Sequence, residues 1–297
     1  MIDKLEFLLA LAREQHFGRA AEACGVTQPT LSAGVKQLED SFGVLLVNRG
    51  SRFQDFTPEG ERVLDWARRI VGDSRAMREE VHALKHGLTG RLRIAAIPMA
   101  HAVIEPLTAL YHERHPDVQF TLLSHNAQEI LSLLENLEID AGVTYLDHEP
   151  NGRIASLPLY HERYCLLTSA DAPLGDRDKV TWAQVAQVPL CLLTSDTKMR
   201  RIIEGLMRDA GGDPKPTLES NALLLIYTHV RTGHWASVMP VRLAATLGLT
   251  DKLRAIPIVE PEASHSIGLV VPARKPMKPL TAALVVEARR LAPSLTD

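Results

Sequence analysis

The chain has 297 residues, of which 45% are hydrophobic and 23% charged, a balance that excludes a disordered or fibrous protein and suits two or three globular domains. Its formal net charge of −3 excludes a strongly basic protein that coats nucleic acid without reading it. Aromatic residues are only 5%, so Leu, Val, Ile and Ala must build the core.

Leu5, Leu8, Leu9 and Ala12 recur at helical spacing and predict a first helix over Lys4 to Glu14, which Gln15-His16-Phe17-Gly18 interrupts. A short helix rich in small residues follows over Arg19 to Cys24, then the tight turn Gly25-Val26-Thr27. Thr27 is suited to cap a third helix, with Pro29 in its first turn and Leu31, Val35 and Leu38 on its buried face. Two helices joined by such a turn form a helix-turn-helix. Val44 to Phe56 then predicts a small β-wing. Thr57 caps and Pro58 opens a long helix to about residue 86, with Val63, Ala67, Ile70, Ala76, Val81 and Leu84 as apolar positions; Gly87 and Gly90 end it.

From Arg91 the pattern changes. Strands are expected at Leu92–Ile97, Val118–Ser124, Asp140–Tyr145, Tyr164–Thr168, Pro189–Thr194, Trp235–Met239 and Ser266–Val271. Helices intervene through Leu110 to His115, at Gln128–Leu137, Met199–Ala210 and Asn221–Thr232, and Pro279–Leu291 closes the chain. This alternation predicts a mainly parallel α/β architecture.

The runs Phe17-Gly18-Arg19-Ala20-Ala21-Glu22, Val26-Thr27-Gln28-Pro29-Thr30-Leu31-Ser32, Gln37-Leu38-Glu39, Phe42-Gly43-Val44-Leu45-Leu46 and Thr57-Pro58-Glu59-Gly60 resemble the DNA-binding head of LysR-type transcriptional regulators. The resemblance continues more weakly through Gly90-Arg91-Leu92-Arg93-Ile94, Leu134 to Gly142, and Glu219-Ser220 to Pro240. It implies a winged helix-turn-helix over 1–57, a dimerising linker helix over 58–87 that pairs with its partner-chain copy as a coiled coil, and a two-lobed, periplasmic-binding-protein-like effector domain over 88–297. Lobe 1 would comprise about 88–163 and 266–297, and lobe 2 about 164–265.

The recognition chemistry follows from residue type. Thr27, Gln28, Pro29, Thr30 and Ser32 open the third helix, with Lys36 one turn on. Gln reads adenine bidentately, Thr and Ser serve a base or a phosphate, and helix N-terminal amides suit a phosphate. Arg49 and Arg52 on the wing would meet phosphates or the minor groove. Ala33-Gly34 stands where relatives often carry Ser or a basic residue, which reduces the expected contacts. Asp3, Glu6, Glu14, Glu22, Glu39, Asp40 and Asp55 outnumber the basic residues up to Phe56, so DNA binding should depend on dimerisation.

Ligands of open α/β sheets bind beyond the carboxyl ends of strands. That rule marks the segments Pro98-Met99-Ala100-His101, then Ser124-His125-Asn126, then Thr144-Tyr145, and in the other lobe Thr194-Ser195-Asp196-Thr197. Met99, Ala100, His101, Ser124, His125, Asn126, Thr144, Thr194, Ser195 and Thr197 are the candidate effector contacts. Helix N-termini beside hydroxyl and imidazole groups favour a small carboxylate or inorganic anion as effector.

Rival functions fit less of the chain. No phosphate loop, HExxH helix or nucleophile elbow occurs, and His112-Glu113-Arg114-His115 has the wrong spacing for zinc, so no enzyme, metal or cofactor is expected. A DNA-binding architectural protein would not need the α/β half, and a solute-binding protein would not need the head. Cys24, Cys165 and Cys191 form no CxxC pair and read as small buried residues in a reducing compartment. The opening Met1-Ile2-Asp3-Lys4-Leu5-Glu6 lacks a signal-peptide pattern, and no apolar run approaches the ~20 residues of a membrane span. The expectation is a cytoplasmic homodimer or homotetramer that binds double-stranded operator DNA and a small-molecule effector, with RNA polymerase a further possible partner and no membrane association.

Overall fold

The computed structural model describes residues 1–49, 53–146, 153–249 and 252–295. Helices α1 (Ile2–Glu14), α2 (Phe17–Ala23) and α3 (Gln28–Phe42) and the two-stranded wing β1 (Val47–Arg49) and β2 (Phe53–Phe56) form the head. Leu8, Leu11, Leu31, Val35 and Leu46 are completely buried at its centre. The helix α2 begins two residues before its expected start because the His16 imidazole caps it: Nδ1 accepts from Gly18 N at 3.0 Å and Arg19 N at 3.3 Å.

Two side chains fix the wing. Glu39 is only 6% exposed, and its Oε1 accepts from the amides of Leu46 (3.0 Å) and Val47 (3.3 Å). Thr57 donates its hydroxyl proton to Leu45 O at 2.7 Å and accepts from Gly60 N at 2.9 Å. It therefore ties the wing's root to the start of helix α4 (Pro58–His86). A Cβ on Gly60 would lie 2.0 Å from Leu46 O, so the backbones approach too closely for any other residue there.

The long helix α4 leaves the head and lies against lobe 1. Arg153 binds Asp65 with two nitrogens, at 3.0 and 2.7 Å, and Lys278 joins Glu79 of α4 to Asp140, both at 3.0 Å. The inward residues are Gly60, Leu64, Ala67, Val71, Gly72 and Ala76. Ile70, Met77, Val81 and Leu84 are exposed on the other face, Leu84 by 82%. Of the apolar positions expected from sequence, Ala67 and Ala76 thus face the chain's own core, and Ile70, Val81 and Leu84 do not.

Lobe 1 contains β3 (Gly90–Ala96), α5 (His101–Arg114), β4 (Val118–Ser124), α6 (Ala127–Glu135) and β5 (Ala141–Tyr145). A single 16-residue strand, β6 (Ile154–Ser169), then crosses into lobe 2. Lobe 2 adds β7 (Val180–Thr181), α7 (Trp182–Val185), β8 (Cys191–Leu193), α8 (Lys198–Asp209), β9 (Leu218–Ser220), α9 (Leu223–Val230), β10 (Ser237–Pro240), α10 (Val241–Thr246) and β11 (Leu253–Val259). Strand β12 (Ser264–Pro272) returns to lobe 1, and α11 (Pro279–Leu291) closes it.

The main sheet runs β4-β3-β5-β12-β6-β11-β7, with β10 also paired to β6. Strands β3, β4 and β5 are mutually parallel, whereas β6, β10, β11 and β12 pair antiparallel. The crossover strands thus make the sheet mixed. Separate hydrophobic clusters fill the lobes, one around Leu92, Ile94, Val143 and Leu284, the other around Leu166, Leu167, Trp182 and Met207.

Replacing Glu39 by Ala strips two buried amides of their acceptor and should cost about 2–4 kcal/mol. Calorimetry of the full chain should show the head melting earlier with the effector domain unmoved. An unshifted head transition would deny Glu39 its part in holding the wing.

Candidate functional site

The head presents an exposed helix start. Thr27, Gln28, Pro29, Thr30 and Lys36 are exposed and Ser32 half-buried. Thr27 accepts from Thr30 N at 3.4 Å, and the two hydroxyls lie 2.8 Å apart. Thr27 is therefore committed to capping, which leaves Gln28 as the exposed group with bidentate reading capacity. Gly34 is buried, and a Cβ there would meet the Phe7 ring at 2.6 Å. Close packing on α1 accounts for the glycine where a polar contact was looked for. Arg52 lies outside the described residues, and of Arg49 the backbone alone is described, paired with Phe53.

Two adjoining chambers lie between the lobes, of about 230 Å³ and 820 Å³. Met99, Ser124, His125, Asn126 and Thr197 line the smaller, and Thr144 lines the larger. Asn126, Tyr145, Asp196 and Lys198 border both. Four expected residues fall outside these linings. Ala100 is completely buried in the lobe 1 core, and His101 and Ser195 are exposed. Thr194 is half-buried, its carbonyl accepting from Thr197 Oγ1 at 3.0 Å. The strand-end rule leads to loops that border the cleft, but each loop turns only some of its side chains inward.

One helix from each lobe starts at the smaller chamber. Asn126 caps α6 in a capping box: Oδ1 accepts from Glu129 N at 2.9 Å, and Glu129 Oε2 accepts from Asn126 N at 3.1 Å. His125 Nδ1 lies 3.0 Å from the same Glu129 oxygen. Thr197 caps α8, accepting from Arg200 N at 3.3 Å. The first amides of each helix, Ala127 and Gln128 in α6 and Met199 in α8, point back along the helix axis toward the chamber, as the leading amides of any helix do.

The Lys198 ammonium lies 5.0 Å from the centre of the Tyr145 ring, across the cleft from its own helix. Arg201 lines the larger chamber. The Thr144 hydroxyl, 2% exposed, has no hydrogen-bond partner among the described residues. Below the cleft, buried Arg200 holds Leu193 O at 2.7 Å, Glu204 at 2.8 Å and Glu219 at 2.7 Å. It fixes the loop that carries Thr197. Lys198, Arg201 and Arg200 were not singled out in the sequence, whereas Tyr145 was. A lysine opening a helix opposes the helix dipole, and that was the signal available.

The thiols are ill suited to redox work. Burial pushes Cys165 up to about 12 and Cys191 up to about 11, and raises Cys24 as well. A thiol reacts through its thiolate, which these environments suppress.

An exposed helix-turn-helix joined by a long helix to a two-lobed cleft defines an effector-modulated DNA-binding transcription regulator. The first sixty residues match the family described as "Bacterial regulatory helix-turn-helix protein, lysR family" over 2–61, and the remainder matches "LysR substrate binding domain" over 85–292. The chain belongs to the LysR family.

Among its relatives is the DNA-binding transcriptional dual regulator OxyR of Escherichia coli K12. It is 29% identical over 278 residues, covering 93% of this chain and 91% of that protein. A probable nitrogen assimilation transcriptional activator of Synechococcus elongatus is 27% identical, covering 91% and 88%. A substituted full-length OxyR from Pseudomonas aeruginosa superposes with a TM-score of 0.77 at 27% identity, covering 98% and 94%. The fold is also that of CbnR in complex with its target DNA, with a TM-score of 0.61 at 21% identity, covering 98% of this chain and all of that one. No helix among the described residues is long and apolar enough to cross a membrane.

Burial of the cysteines disfavours the thiolate through which peroxide reacts. At pH 7, dilute hydrogen peroxide should leave all three thiols titratable after denaturation and operator affinity unchanged. Rapid loss of a thiol would overturn that reading.

Proposed function

We propose that this regulator reads its operator as a dimer or dimer of dimers through the start of α3, and that a small carboxylate or inorganic anion bound between the lobes switches it. The observation that carries the effector class is the meeting of two helix N-termini from opposite lobes beside Lys198. Each presents the positive end of a helix dipole, and the ammonium adds a full charge. The names of the relatives point to different signals, so the anion class rests on the cleft's own groups.

A ligand can switch the protein only by binding one arrangement better than another. An anion touching both N-termini does so, because it is fully coordinated only when the lobes are close. Dimerisation is expected through α4. Ile70, Met77 and Leu84 are seven residues apart, and Ser74 and Val81 fill the alternate positions of the same heptad. A second copy of the chain supplies the matching stripe, and pairing brings two recognition helices to successive major grooves about 34–36 Å apart. RNA polymerase is the expected downstream partner.

Two variants test the two halves. Gln28→Ala should lower specific operator affinity about tenfold or more, the worth of one bidentate base contact, with melting unchanged. Unaltered affinity would remove Gln28 from the base-reading set. For the cleft, formate, acetate, malonate, sulfate and phosphate should be screened by thermal shift. At least one should raise the melting temperature saturably, and Lys198→Gln should weaken that ligand about tenfold. No response to any of them would overturn the anion reading and leave the DNA-binding assignment intact.

A further inference from the structure

A second cavity, of about 630 Å³, lies away from the interlobe cleft, where the head meets lobe 1. It is bordered by Glu6 and Arg13 of α1, Arg75 of α4, Arg91 and Arg93 of β3, and Glu138 of the loop after α6. Strand alternation creates one wall. Leu92 and Ile94 point into the lobe 1 core, so Arg91 and Arg93 project from the opposite face of the sheet. That face is turned toward α1.

The guanidiniums divide into two kinds. Arg13 binds the Glu14 carboxylate at 2.8 Å, and Arg75 binds Glu6 at 3.1 Å. Arg91 and Arg93 donate instead to neutral acceptors, the Gln119 side-chain oxygen at 3.0 Å and the Glu138 carbonyl at 3.5 Å. Four arginines therefore face three carboxylates, Glu6, Glu14 and Glu138, and the side chains of Arg91 and Arg93 have only uncharged hydrogen-bond acceptors among the described residues. Burial also raises the pKa of Glu138 against the pull of Arg13 and Arg93.

We propose that this seam is a second ligand site, taking a small multivalent anion of the phosphate or polycarboxylate class that bridges the head and linker arginines to those of β3. Its volume falls within the range of small-molecule sites, and guanidinium forks match phosphate and carboxylate oxygens bidentately. An anion there attracts both bodies at once, so it favours the arrangement in which the head rests on its own lobe 1. The site is independent of the cleft reading, and it gives operator binding a second chemical input.

The test is isothermal titration of the full-length protein at low salt with pyrophosphate and with citrate. Wild type should bind at least one of them saturably, and Lys198→Gln should retain that binding, because the cleft is not involved. The double variant Arg91→Gln/Arg93→Gln should lose about tenfold or more in affinity. Both side chains are exposed, so its melting should be unchanged. Arg91→Lys/Arg93→Lys, which keeps the charge and loses the fork, should fall between. Absence of saturable binding by either probe would overturn the proposal. So would binding that survives the glutamine pair, or binding lost in Lys198→Gln alone.

Discussion

The antiparallel pairing of β6 with β12 is the constraint on which the effector domain depends. At about 3.3 Å per residue, β6 spans roughly 50 Å, long enough to serve as a spine for both lobes. Its first half pairs with β12 in lobe 1, and its second half pairs with β10 and β11 in lobe 2. The lobes therefore share two strands and otherwise keep separate cores, so their relative position is set by bending at the crossover. The ladder is irregular between Ile267 and Gly268, where a Cβ on Gly268 would lie 2.4 Å from Leu157 O. At the crossing, buried Glu162 accepts from the Tyr145 hydroxyl at 3.4 Å. Tyr145 also borders both chambers of the cleft, so the bending region and the candidate ligand site share a side chain.

A physical connection leads from the cleft to the linker. Strand β5 begins directly after Asp140, which Lys278 joins to Glu79 of α4, and it ends at Thr144 and Tyr145 in the cleft. Only Ala141, Gly142 and Val143 separate the ionic contact on α4 from the candidate ligand chamber, and all three are buried. Packed strands of this kind shift as units rather than deform gradually. The linker helix is therefore mechanically close to the effector although the recognition helix is distant.

The head was the more legible half, because its signals are local. Thr27 and Thr57 are caps whose partners lie three residues away, and Gly60 sits in a short run whose chemistry can be read directly. His16 escaped notice because imidazole is an uncommon cap, and α2 was started late as a result. In the effector domain most strand positions along the chain could be anticipated, but the first half of β6 could not. Pro158 and the run His161-Glu162-Arg163 break its apolar pattern, and an antiparallel partner more than a hundred residues away stabilises it nonetheless. Strand β11, interrupted by Pro257, was hidden in the same way. The cleft loops were found by the strand-end rule, whereas the charges beside them were not: Lys198 matters through its distance to Tyr145, which no spacing in the sequence encodes.

The near balance of acidic and basic residues in the head has a consequence for how the regulator searches the genome. Affinity for duplex DNA falls with salt by a slope of about −0.9 for each phosphate neutralised, and a head with few free cations releases few counterions. Several of its acids are also engaged within the head, Glu39 with the wing amides and Asp55 with Asn48 at 2.6 Å, so they do not crowd the DNA-facing helix. Random sequence then competes weakly, and little of the protein is sequestered along the chromosome. Under the proposed function, occupancy of the true site then depends on base contacts and on pairing of subunits, the term that a bound ligand would change.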